Sequence, residues 1–245
     1  MFLDSAPSQE KRLDLKDSFN FMCRSGLACF NSCCSNKHLP LTPYDILRLK
    51  SSLHLHSDLF LDKYTNYRLD KESVFPIIAI KMKDGPDRAC PFVSTSGCMV
   101  YANSPTACRL FPLGRVSGFG AGKRVSEEIF YLLDVKGCWG MDEPKAWTVE
   151  EWVKGQGLGQ FIGMNDMMLD LLFHPKKESG RPLDSRQLQK VIVSCYNPDV
   201  FREFVFETKF LDFHDIDSNT RIRIKNDDME LLKLGIEYLK RSLFS

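Results

Sequence analysis

The sequence predicts an α+β protein: a small cysteine-rich α+β part with β-hairpins over residues 1–145, followed by a mostly helical C-terminal part over residues 146–245, the two able to pack as one unit. Three observations point there. Eight of the nine cysteines precede residue 139. The apolar runs of the first part are short, β-branched and separated by Gly, Pro and Asp turns. After residue 145 the apolar residues recur at helical spacing behind capping signals.

Taken in order, residues 1–20 are polar and read as a short arm or helix leading to the first cysteines. "LTPYDILRLKSSL" reads as a helix: Thr42 can cap it, Pro43 suits the first helical position, Asp45 lies in the electropositive first turn, and Ile46, Leu47, Leu49 and Leu53 form an apolar side. "SVFPIIAIKMKDGPDRACPF" predicts a hairpin turning at Asp84–Asp87 and delivering Cys90. In "SPTACRLF" Ser104 is the expected cap, Pro105 the first helical residue, and Cys108 lies one turn in. A further hairpin joins "LFPLGRV" to "SEEIFYLLDV" through "SGFGAGK" and leads to Cys138. "WTVEEW" is a capping box, with Thr148 as cap and Glu151 three residues on. Helices are expected over 149–173, 185–195, 198–208 and 226–243.

With 33 Lys+Arg against 32 Asp+Glu and no long basic block, the chain lacks the electrostatic footprint of a nucleic-acid binder. It shows no basic-then-apolar leader and no membrane-length apolar run, so the expectation is a soluble cytoplasmic protein that meets a protein or redox partner, not nucleic acid or a membrane. A reducing compartment makes clustered cysteines metal ligands or redox groups before it makes them disulfides.

The cysteine spacing is C-x5-C-x3-C-C for Cys23, Cys29, Cys33 and Cys34, then Cys90-x7-Cys98-x9-Cys108, then Cys138. These are neither the C-x2-C pairs of zinc fingers nor the runs of ferredoxins. Adjacent side chains diverge along any regular backbone, so Cys33 and Cys34 fit two nearby sites or a polynuclear cluster better than one mononuclear ion. The eight thiols would complete two four-cysteine zinc sites, or hold one four-iron cluster with four cysteines over. Cys195, in "LQKVIVSCY", has apolar neighbours at helical spacing and is expected in the core.

The run from Cys23 to Cys34 followed by "LTPYDILRL", with "CPF" at 90–92, "GCMVY" at 97–101 and "SPTACRLFPLG" at 104–114, resembles the YkgJ-type cysteine-cluster proteins, over roughly residues 20–140. That resemblance implies zinc or iron chelation through these cysteines. Some members carry an iron-sulfur oxidoreductase label, and flagellin lysine N-methylase is a related member. The chain departs from the family in having Ser104 where an arginine commonly precedes the proline, and Cys138-Trp139-Gly140 where "CPG" often stands.

Other features have plainer readings. "GFGAGK" lacks the first glycine and the Ser/Thr of a phosphate loop and reads as a hairpin tip. His38, four residues after Cys34, is a possible extra ligand; His54 and His56 close a helix, His174 ends one, and His214 lies in the acidic "DFHDID". Trp139, Trp147 and Trp152 either shield a metal or form a hydrophobic contact, and Arg24, Lys37, Arg88 and Arg109 could offset thiolate charge.

The function expected is therefore metal binding by Cys23, Cys29, Cys33, Cys34, Cys90, Cys98, Cys108 and Cys138, with an iron-sulfur cluster, four-iron before other types, or zinc as the cofactor, and with a redox role if iron. The alternatives are a protein lysine N-methyltransferase-like enzyme and a non-enzymatic interaction module with structural zinc. The sequence assigns no catalytic residue.

Overall fold

The computed structural model describes residues 11–69, 75–120, 123–174 and 182–244. In chain order its first half holds β1 (Arg12–Leu13), β2 (Ser18–Asn20), α1 (Pro43–Ser52), α2 (Ser57–Tyr64), β3 (Thr65–Arg68), β4 (Ile77–Ile80), β5 (Val93–Ser94), β6 (Gly97–Cys98), α3 (Thr106–Leu110), β7 (Leu113–Gly120) and β8 (Lys123–Leu132). Then come β9 (Ala146–Thr148), α4 (Val149–Gly155), α5 (Gly159–Leu172), α6 (Ser185–Val191), α7 (Pro198–Glu207), α8 (Phe210–Phe213), α9 (Ser218–Asn226) and α10 (Asp228–Phe244). The fold is α+β, with antiparallel strands in the N-terminal half and helices toward the C-terminus. Among the described residues no helix is long and apolar enough to cross a membrane.

The chain forms two compact units, one of Met1–Leu39 and Met82–Ile162, the other of Pro40–Lys81 and Gly163–Ser245. In the first unit β7 and β8 form the expected hairpin, and β1 adds to its edge in the order β1-β8-β7. The turn of that hairpin, Ala121–Gly122, lies outside the described residues. The polar N-terminal segment is extended where it is described: Leu13 pairs with Phe130, and Ser18–Asn20 pairs with Ala146–Thr148. Phe19 and Phe21 face inward, each edge-on to Trp152; of the three tryptophans expected as shield or contact, Trp152 lies in this unit's core, Trp147 is half-buried and Trp139 is exposed. Trp152 donates its indole N–H to Leu110 O (3.1 Å) and Trp147 to Phe21 O (2.9 Å).

α4 starts on the capping box read from the sequence, Thr148 Oγ1 accepting from Glu151 N–H (3.2 Å) and the Glu151 carboxylate accepting from Thr148 N–H (2.9 Å). The helix expected over 149–173 is broken in two. Gly157 takes φ +63°, its N–H donates to Lys154 O and that of Leu158 to Val153 O, both at 3.0 Å. This is a Schellman stop, which needs a residue tolerant of the left-handed conformation.

In the second unit α1 is as expected: Thr42 and Asp45 exchange capping hydrogen bonds of 3.2 and 2.8 Å behind Pro43. The turn expected at Asp84–Asp87 forms, with Arg88 N–H on Gly85 O (3.3 Å) and Lys83 N–H on Ala89 O (2.8 Å), but Ile77–Ile80 takes no partner across it. Instead β4 pairs backward with β3, Thr65 opposite Ile80 and Arg68 opposite Ile77, because Ile78, Ala79 and Ile80 are buried and their backbone requires a partner. α2 was not anticipated from the sequence. Toward the C-terminus α6 runs on through a π-helical stretch, Ile192–Tyr196, the helix expected over 226–243 is α10, and α9 before it was not anticipated from the sequence. Phe201, Val205, Phe210, Ile224 and Leu231 form the centre of this core. Cys195 is buried as expected, 2 % exposed.

Candidate metal centre

All eight candidate ligands lie in the first unit, on turns and short elements, and all are free thiols with at least partial exposure; Cys23, Cys33 and Cys108 are exposed. Cys23 follows the β2 strand, whose continuation is fixed by Phe21 N–H donating to Lys145 O and Met22 N–H to Gly140 O, both 2.9 Å. That register sets Cys23 beside the loop bearing Cys138. Gly140 permits the approach, since a Cβ there would lie 3.0 Å from Met22 O. From the same loop the Trp139 N–H donates to Cys29 Sγ (3.3 Å).

Residues 27–34 form successive tight turns, with Ser32 N–H on Cys29 O and Cys34 N–H on Asn31 O at 2.9 Å each. Asn31 adopts φ +69°, a conformation that Asn tolerates, and donates its side-chain amide to Ser94 O (2.9 Å). Cys33 and Cys34 then occupy a 3₁₀ turn, Ser32–Cys34, in which successive side chains leave the axis about 120° apart.

Cys34 is tied to the second cysteine group through the backbone: Cys90 N–H donates to Cys34 O (2.7 Å), Asn36 N–H to Arg88 O (3.0 Å), and Ser35 bridges Ala89. The β5–β6 hairpin sets Cys98 opposite Val93, whose N–H in turn donates to Cys90 O (3.2 Å). Cys108 lies in α3, which begins at Thr106, later than expected; Ser104 makes no capping bond there, and Pro105 O receives the Cys108 N–H (2.9 Å).

Arg109 holds this region together from below. Its guanidinium donates to Ser104 O (3.0 Å), Tyr101 O (3.3 Å), Ala102 O and Gln156 O (2.6 Å), and lies over the Phe161 ring. It therefore positions α3 and the preceding turn. Arg24 is engaged by Glu143 at 2.9 Å.

The thiols sense one another. Cys34 donates a hydrogen bond to Cys33, which, against the cost of burial and with help from Lys37, brings the Cys33 thiol down to about 6, while the Cys34 thiol is pushed up. Burial pushes up Cys23, and the charges of Cys33, Cys29 and Cys138 add to it; Cys138 is pushed up by burial and then by Cys29 and Cys33. Burial also raises Cys90, with Cys98 adding and Lys83 opposing, and raises Cys98, with Cys33 adding. Cys34 feels Cys90 and Cys108. Among the described residues no three Cys, His, Asp or Glu side chains are already closed around a point where a metal ion could sit, so coordination requires these sulfurs to draw closer.

The histidines are placed elsewhere or outward. His38 is exposed, His56 leads α2 with Nδ1 2.6 Å from Asp58, His174 stacks on Phe244 (4.2 Å) and His214 packs against Phe210 and Tyr238. Sequence reasoning named Trp139 but missed three further exposed apolar residues close in sequence to the cysteines: Met22, Met99 and Tyr101 are 36 %, 64 % and 66 % exposed, beside Trp139 at 59 %. Their signal was each residue's place within three positions of a cysteine.

In comparison with known proteins, the family model CxxCxxCC, described as "putative zinc- or iron-chelating domain", matches residues 22–129. The spacing here, C-x5-C-x3-C-C, is wider than that name. No curated protein and no solved structure matches the chain.

Proposed function

We propose that the protein binds metal through Cys23, Cys29, Cys33, Cys34, Cys90, Cys98, Cys108 and Cys138, with iron in a sulfide cluster and a redox role, a reading supported by the match of residues 22–129 to the zinc- or iron-chelating family model. The observation that carries the reading is the gathering, from distant parts of the chain, of eight reduced thiols in one unit. A donor set of soft sulfur suits zinc and iron-sulfur centres and disfavours magnesium or calcium. The hydrogen bond from Cys34, helped by Lys37, favours the thiolate, the ligating form, at Cys33, whereas burial favours the thiol at Cys23, Cys90, Cys98 and Cys138, so metal binding there would release protons. The reading also places the protein in a reducing compartment, the cytoplasm, where nine free cysteines persist.

Iron-sulfur clusters supply one-electron transfer, at potentials set by burial and by hydrogen bonds to sulfur. The chain's own contribution is positional. Trp139 N–H is directed at Cys29 Sγ, and the partial exposure of the thiols lets a redox partner approach. Zinc is the second reading, favoured by the same all-thiol composition, since four thiolates close a tetrahedral zinc and leave no position for water. Under that reading the unit is a non-enzymatic interaction module. The methyltransferase reading has no side-chain arrangement in its favour among the described residues.

The test is metal and inorganic-sulfide analysis of protein purified without oxygen. Iron with sulfide, and a visible absorbance bleached by dithionite, is the expected result. Colourless protein with stoichiometric zinc overturns the redox role in favour of the structural one, and metal-free protein overturns metal binding itself.

A further inference from the structure

We propose that Cys33 and Cys34 are a redox pair that hydrogen peroxide closes into a vicinal disulfide, a modification that needs no metal and stands apart from the metal-binding reading.

The geometry completes a pair of sulfurs. Among the described residues no three ligating side chains surround a point, yet a sulfur-to-sulfur hydrogen bond joins the Cys33 and Cys34 thiols. Closing a disulfide through a sulfenic acid needs one sulfur open to solvent and a second thiol beside it. Both conditions hold. Cys33 is exposed, and Cys34, half-buried, is its immediate neighbour. The Cys33 sulfur attacks a peroxide oxygen, the O–O bond breaks, one water leaves, and Cys33 becomes a sulfenic acid. The Cys34 sulfur then attacks Cys33 Sγ, the S–O bond breaks as the S–S bond forms, and the departing hydroxyl takes the Cys34 proton as a second water. Two thiols and one peroxide thus give one disulfide and two waters.

The fold makes this bond a switch. Consecutive Cα atoms lie about 3.8 Å apart, closer than the roughly 4.4 Å at which ordinary disulfides begin. The 3₁₀ turn Ser32–Cys34 also spreads the two side chains. Closing the ring therefore distorts the turn, and a strained disulfide is readily reduced again. The distortion reaches further along the chain, because Cys34 O receives the Cys90 N–H (2.7 Å) and Cys34 N–H is held by Asn31 O (2.9 Å). Oxidation of the pair should loosen the Cys90 amide.

The experiment strips the full chain of metal with chelator and reductant, removes both, adds one equivalent of hydrogen peroxide, alkylates with N-ethylmaleimide and digests with trypsin. The peptide Ser25–Lys37 carries Cys29, Cys33 and Cys34. It should be two hydrogens lighter and alkylated at Cys29 alone, and after dithiothreitol it should be alkylated at all three. In Cys34→Ala, Cys33 should stop at a sulfenic acid that dimedone traps. In the wild type the Cys90 amide should exchange with deuterium faster after oxidation than before. Three alkylated cysteines after peroxide, or lost hydrogens that link this peptide to another, overturn the pair, and an unchanged Cys90 amide in the oxidised chain overturns the switch. None of these results bears on metal binding, just as metal-free protein in the metal and sulfide analysis leaves the pair untouched.

Discussion

The Trp139 N–H points at Cys29 Sγ across 3.3 Å, and the next residue, Gly140, accepts from Met22 through its carbonyl. One short loop thus fixes Cys138 against both Cys23 and Cys29. Gly140→Ala would place a methyl 3.0 Å from Met22 O and 3.1 Å from the Phe21 ring, lifting that loop. It should cost about 1–3 kcal/mol of stability, as overpacking does. Metal content should fall by the share that Cys138 helps to hold, as measured by metal per chain alongside urea unfolding.

Cys195 and Cys108 should separate packing from ligation. Cys195→Ser puts a hydroxyl into a site 2 % exposed and should lower stability by about 1–3 kcal/mol with metal content unchanged. Cys108→Ser, at an exposed thiol, should lower metal content and, in metal-loaded protein, stability through the lost binding energy. Thermal unfolding with and without chelator distinguishes the two: the Cys195→Ser deficit persists in chelator, and the Cys108→Ser deficit vanishes.

In the second unit Lys50 Nζ lies 2.9 Å from Asp199 and 3.1 Å from Asp228, with Arg202 also on Asp228. Burial raises the Asp199 carboxyl, but the hydrogen bonds from Lys50 and from Ser57 N–H outweigh it and hold the group below its usual range. A depressed folded pKa means that the unfolded chain binds the proton more readily. Its stabilising contribution is thus complete above the unfolded value of about 4 and is lost as pH falls through the lower folded value. Asp199→Asn should cost about 2–3 kcal/mol at neutral pH. It should also flatten the acid limb of a urea-midpoint profile relative to wild type.

Gly235→Ala reverses the usual sign of its substitution. In an open helix Gly→Ala gains about 0.5–1 kcal/mol. In α10 the new methyl would meet Ser194 O at 2.2 Å, a backbone atom of the π-helical stretch. A loss of about 2 kcal/mol or more is expected, from denaturant midpoints.

Much of this was legible in the residues. Thr42, Pro43 and Asp45, and Thr148 with Glu151, signal helix starts because capping is a local exchange of hydrogen bonds within four residues. The β7–β8 hairpin was equally local. The Ile77–Ile80 strand was misassigned to a forward partner because strand pairing is a long-range choice that a turn signal at Asp84–Asp87 does not decide. Gly157 was read as part of a continuous helix, since a glycine stop and a tolerated helical glycine look alike until the neighbouring amides are placed. The eight cysteines were legible as a group, and all eight lie in one unit. How their stretches meet was not, because it depends on Cys90 meeting Cys34 and Trp139 meeting Cys29, contacts that no spacing encodes.

The unit that carries the thiols is written in two pieces, Met1–Leu39 and Met82–Ile162, with Pro40–Lys81 given to the other unit between them. A ribosome therefore releases Cys23, Cys29, Cys33 and Cys34 long before Cys90, and Cys138 last of all. During synthesis the early sulfurs wait without their counterparts, and the set of eight is complete only when the loop bearing Cys138 arrives.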